Sequence, residues 1–138
     1  MKHLLLILSF LTLSLGQISA QEKNEIQVTD MYAFGYVTSL NDSIVYLTEI
    51  SNMPRVTVNK KNGFLVNRSS YSNQLKEHFK RMGIEHPTCA IIFDRNRKKI
   101  SKKFVGMMKK LQKNNRYFVK TISAEEFTFK ELDTSSEE

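Results

Sequence analysis

Met31-Tyr-Ala-Phe-Gly-Tyr-Val-Thr-Ser-Leu-Asn-Asp-Ser-Ile-Val-Tyr-Leu-Thr-Glu-Ile50 is the stretch whose reading decides the fold. Two runs rich in Tyr, Val, Ile and Phe, Met31–Leu40 and Ser43–Ile50, flank the turn-forming pair Asn41-Asp42. Such runs separated by a short turn signal predict a β-hairpin. Side chains alternate across a strand, so Ile44, Tyr46 and Thr48 share one face and Val45, Leu47 and Glu49 the other.

Downstream of the hairpin the period changes. Tyr71, Leu75, His78, Phe79 and Met82 fall on one stripe at 100° per residue, which predicts a helix over Tyr71–Met82. Ser69 or Ser70 suits its N-cap and Gly83 its C′ position. Thr88–Asp94, entered from Pro87, is a short apolar run and reads as a buried strand. Arg97–Lys113 is the clearest helix: Ile100, Phe104, Met107, Met108 and Leu111 form an apolar stripe and the lysines lie opposite. Arg116–Ile122 is a further strand, and Ser123-Ala-Glu-Glu126 matches a capping box that predicts a helical turn. Between hairpin and first helix, Pro54 interrupts any strand and Asn62-Gly63 signals a turn. Val56–Val58 and Phe64–Val66 there could form an extra hairpin or pack as a loop. The order β-β-α-β-α-β points to an α/β (α+β) sandwich, a small mixed sheet of about four strands with two amphipathic helices.

The domain expected from this order is Met31–Lys130. Before it, Lys2, the apolar run Leu4–Leu15 and Ile18-Ser19-Ala20 carry the signature of a secretory signal peptide spanning residues 1–20. That run is shorter than the roughly 20 residues needed to span a bilayer. Residues 21–30 are expected to be a flexible lead-in and 131–138 an acidic disordered tail. The product is then a soluble protein of the periplasm or exterior of a bacterium, cleaved near Ala20.

Charge is segregated along the chain. Gln21–Pro54 has a net charge of −4, Arg55–Lys120 of +15 and Thr121–Glu138 of −5. The basic centre peaks at Lys98, Lys99, Lys102, Lys103, Lys109, Lys110 and Lys113, a helix face that could hold phosphates of nucleic acid or of an envelope surface. Aromatic residues for base stacking are not interleaved with these lysines, which disfavours single-stranded nucleic acid.

Other chemistries find less support. Cys89 is the only cysteine, so no internal disulfide forms, and within an apolar strand its thiol is expected to be buried. His86 stands three residues upstream of Cys89, which on an extended strand directs it to the opposite face. His78, on an apolar stripe, is expected to pack rather than catalyse. Paired metal-ligand spacing, a calcium loop, a phosphate loop and a nucleophile elbow are all missing from the sequence. No metal, no other cofactor and no catalytic residue is therefore assigned. Asp42-Ser43-Ile44 is similar to the Asp-Ser/Thr-aliphatic pattern of bacterial O-glycosylation, and Ser43 is expected at an accessible hairpin tip.

Gly35-Tyr36-Val37 followed by Tyr46-Leu47-Thr48 resembles the paired strands of GIY-YIG nucleases. The order hairpin, helix, strand, helix over Met31–Lys113 is similar too, with Asn73–His78 placed like the family's first helix. The resemblance singles out Tyr36, Tyr46 and His78. Thr48 stands where the family has glycine, and Asn73 where it has the phosphate-stabilising arginine. The second helix lacks the metal-holding glutamate. The resemblance thus implies a degenerate relative without the cleaving residues. A small exported, non-catalytic binding protein of the envelope, with an unidentified protein or envelope partner, is the primary expectation.

Overall fold

In the computed structural model residues 24–133 are described. The leader, the first three residues of the lead-in and the last five of the tail lie outside them. In chain order the elements are β1 (Glu25–Val28), β2 (Tyr32–Ser39), β3 (Ile44–Thr48), β4 (Ser51–Asn52), β5 (Val56–Asn59), α1 (Arg68–Arg81), β6 (Pro87–Asp94), α2 (Arg97–Lys113) and β7 (Phe118–Ile122).

The expected hairpin is the centre of a mixed sheet. β2 pairs antiparallel with β6 along its whole length on one side. On the other side it pairs antiparallel with β3 and then β4. β7 adds to β3 in parallel, from Ile44↔Phe118 to Thr48↔Ile122. Tyr36 faces Leu47 and Ala33 faces Ser51, so Phe34 and Gly35 oppose three residues, Thr48, Glu49 and Ile50. This is a bulge in the partner strand: β3 ends at Thr48, two residues short of the expected end at Ile50, and pairing resumes in β4 beyond it. The Gly35 N–H donates to Thr48 Oγ1 at 2.7 Å, which satisfies a buried amide that the bulge leaves without a ladder partner. Glu49 N–H turns outward to the Ile122 carbonyl, while its carboxylate accepts from Ala124 N–H at 3.0 Å.

Each face of the sheet carries one helix. On the first face Ala33, Val37, Tyr46 and Ile91 meet Tyr71, Leu75 and Phe79 of α1. Gly35 lets α1 approach closely: a Cβ there would lie 2.5 Å from a Leu75 methyl. On the second face Phe34 and Leu47 meet Ile100 of α2, with Phe104, Met107, Met108, Leu111, Tyr36 and Val119 partly buried around them. The alternation read for the second strand holds where the clusters place its residues: Ile44 and Tyr46 lie on the α1 side and Leu47 on the α2 side.

Several boundaries differ from expectation. α1 begins at Arg68, a turn early, after Asn67 in the left-handed conformation (φ 57°), and neither Ser69 nor Ser70 caps it. Its end is as read: Gly83 (φ +87°) sits at C′, and its N–H bonds the Lys80 carbonyl while Ile84 N–H bonds that of Phe79. Met82, assigned to the apolar stripe, is 45% exposed because it lies past the last helical turn. Part of the lead-in is not flexible: Glu25–Val28 forms β1, paired antiparallel with β5. The ambiguous stretch does fold back, with Val58 bridging Leu65. After β7 the backbone makes the expected turn, in which the Ser123 carbonyl accepts from Glu126 and Phe127. The chain then runs along α1 as an extended strap. Phe127 and Phe129 are buried, and Leu132, expected in a disordered tail, packs against the same core.

Candidate functional site

The strongest concentration of like charge is the solvent face of α2. Asn96 caps the helix, its side chain accepting from the N–H groups of Lys98 and Lys99. Ile100, wholly buried, fixes the rotation of the helix on the sheet. That rotation leaves Lys98, Lys99, Lys102, Lys103, Lys109, Lys110 and Lys113 all exposed. Lys103 pairs with Asp94 at 3.2 Å. Burial alone would raise the Asp94 pKa, but the Asn96 N–H and Lys103 together hold it below the usual carboxylate value. Two further arginines extend the basic region around the helix start. Arg97 lies over the Tyr32 ring at 5.9 Å, and Arg95 forms a two-pronged pair with Asp30 at 3.0 Å. Neither contact was visible in the sequence, because each joins residues far apart along the chain.

An ordinary solvated helix has a different charge pattern. Helices gain stability from acidic residues in the first turn and from Glu–Lys pairs four apart. α2 has no acidic residue anywhere and begins Arg97-Lys98-Lys99. Lys98/Lys102, Lys99/Lys103 and Lys109/Lys113 are like-charge neighbours at i, i+4, each costing about 0.2–0.5 kcal/mol.

The other residues singled out do not assemble with this face. Tyr36 pairs with Leu47 and lies on the α2 side of the sheet. Tyr46 pairs with Val37 and lies on the α1 side, 5.1 Å from the Phe79 ring. Burial raises the Tyr46 pKa, with a smaller contribution from Asp42. His78 stands between Phe79 and Phe127, at 5.4 and 5.2 Å, and its Nε2 is buried without a hydrogen-bond partner. The sheet thus separates Tyr36 from Tyr46 and His78. Beside His78 a cavity of about 520 Å³ opens between α1 and the strap. Asn73, Glu77, Arg81 and Glu125 line it, and it joins segments that no local sequence pattern connects.

Cys89 is half-buried rather than sealed, because β6 is an edge strand and not an interior one. Only Pro87 and Ile91 of β6 are buried. Burial still raises the Cys89 thiol to about 11, opposed weakly by nearby Lys76. Ser43 is exposed at the hairpin end, where its carbonyl accepts from Phe118 N–H. Among the described residues no group of three His, Cys, Asp or Glu side chains is placed to hold a metal ion, and no helix is long and apolar enough to cross a membrane. No protein-family model, curated protein or solved structure matches the chain.

Proposed function

We propose that this protein is a small exported binding module of the bacterial envelope, and that the lysine face of α2 is its contact surface for envelope phosphates. The observation that carries this reading is the uniform positive charge of that face, maintained through the first turn where helix stability favours acids. The sheet supports the helix from behind through Ile100 and Phe104, so the cations stand on the outer side of a fixed helix. Such a surface suits a broad layer of phosphates more than a single small ligand. Each lysine brought to an anionic membrane contributes about 1 kcal/mol, screened by salt.

Vesicle co-sedimentation tests it. The mature chain should bind vesicles of anionic phospholipid and not those of phosphatidylcholine, with affinity falling as salt rises. Replacing Lys102, Lys103, Lys109 and Lys110 by Gln together should abolish most binding and leave the melting temperature nearly unchanged. Equal binding by the quadruple variant would sink the idea. A double-stranded DNA arm separates the sources of phosphate: tighter binding to DNA than to anionic vesicles would reassign the surface to nucleic acid.

A further inference from the structure

The free edge of β6 has an organisation that the lysine face does not explain. Ladder geometry fixes which groups it offers. Gly35 directs its N–H away from β6 to Thr48, and the Ile91 carbonyl opposite Gly35 receives Arg68 Nη2 at 3.2 Å. The Ile91–Gly35 pair is therefore of the kind that does not exchange hydrogen bonds. Such pairs alternate along an antiparallel ladder, so Cys89, Ile91 and Phe93 turn their main-chain groups outward. Among the described residues β6 pairs only with β2.

Natural edges are blunted by charges, and Arg68, which also lies over the Phe93 ring at 5.4 Å, is one such guard. The α2 side of this edge holds something that guarding does not require. A groove of about 360 Å³ runs beside β6 with Ile92, Gly106 and Met107 as its apolar lining and Lys102, Lys103 and Lys110 around it. Gly106 lies within α2, where glycine weakens a helix. The fold gives it no packing role: a Cβ there would meet nothing within 4 Å. On the α1 side, Arg68 and Lys76 stand by the same edge.

We propose that the β6 edge is a strand-addition site for an extended peptide segment of a partner protein, in which acidic and aliphatic residues alternate. Main-chain bonds to Cys89, Phe93 and Ile91 hold the backbone, as in other strand additions, with Arg68 turning from the Ile91 carbonyl to a carboxylate of the peptide. Side chains of an added strand point alternately to the two faces. Its aliphatic residues enter the groove at Ile92, Gly106 and Met107, and its acids meet Arg68 and Lys76. Charge complementarity selects this partner over a second copy of the chain, whose own β6 edge carries the same cations.

Fluorescence anisotropy with the mature chain and a labelled Glu-Val-Glu-Ile-Glu-Val-Glu peptide tests the proposal. The control is the same peptide N-methylated at alternate residues, which keeps charge and composition but removes strand hydrogen bonds. The unmodified peptide should bind at least about tenfold more tightly than the control, as expected for loss of two or more hydrogen bonds. Proline is accepted in an edge strand where its nitrogen faces outward, so Cys89→Pro should weaken binding about tenfold and Cys89→Ala should not. Gly106→Leu should fill the groove and weaken binding while the melting temperature holds or rises, a readout that survives if Cys89→Pro fails to fold. Equal binding of both peptides would show capture by lysine charge alone and overturn strand addition. Absence of peptide binding would overturn it as well and would leave the anionic-vesicle result standing on its own.

Discussion

At the scale of single residues, Thr48 and Gly35 together allow the hairpin to be bulged and still buried. Thr48 is 1% exposed, and its hydroxyl takes the Gly35 N–H. Thr48→Val keeps the shape and leaves that amide unpaired, so urea denaturation should show a loss of about 1–3 kcal/mol. Gly35→Ala forces a methyl against Leu75 in a filled core and should cost about 1–3 kcal/mol. Combining it with Leu75→Ala should cost less than the sum of the two single changes, because the second change makes room for the first. The role of Thr48 was not legible in the sequence, where it reads only as an inward strand residue. Its bond needs the register of two strands to be known. Cys89 gives a pH-dependent test. The thiol rises to about 11 in the fold against about 8.5 in an unfolded chain. Native protein then keeps its proton where the unfolded chain loses it, so this stabilising contribution is intact below about 8.5 and fades as pH rises toward 11. Alkylation by iodoacetamide at pH 8 should be about a hundredfold slower in native protein than in urea.

At the scale of elements, the parts legible in the sequence are those whose partners are close or whose period is strong. α2 occupies Arg97–Lys113 as its apolar stripe implies. β2 and β3 follow their alternation, and Gly83 ends α1 because its positive φ is open to glycine. β1 was illegible because Glu25-Ile-Gln-Val28 is half polar and becomes a strand only through β5, far along the chain. The strap after β7 was missed for a related reason. It is extended but outside any sheet, and it is held by side chains of α1. The Gln74 amide donates to the Lys130 carbonyl at 2.9 Å and accepts the Lys130 N–H at 2.8 Å, so one side chain imitates a strand neighbour. Gln74→Leu should free this segment, read as faster hydrogen exchange at Lys130 with exchange in β2 unchanged. On α2, Gly106→Ala should stabilise the protein by about 0.5–1 kcal/mol in thermal unfolding, since nothing obstructs the added methyl.

At the scale of the molecule, the fold places positive charge on one helix and a basic open edge beside it. The candidate surface was half legible: α2 announces its lysines, whereas the exposure of β6 depends on sheet order. Hairpin, α1, β6, α2 and β7 appear in sequence order, but their order across the sheet, β6-β2-β3-β7, cannot be read from periodicity. Salt should separate the two surfaces. Vesicle binding through α2 should weaken steeply with ionic strength, and peptide binding at β6, anchored by main-chain bonds, should weaken less. The parallel pairing of β3 with β7 has a further consequence for how the chain acquires its shape. Residue 44 cannot find its neighbour until residue 118 exists, and the aromatic residues that cover α1 come later still. Pairings of such long sequence separation form slowly. In a nascent chain of this topology β2, β3, β4 and β6 can already pair, while β3 keeps an open edge and α1 an uncovered flank until the last residues are made.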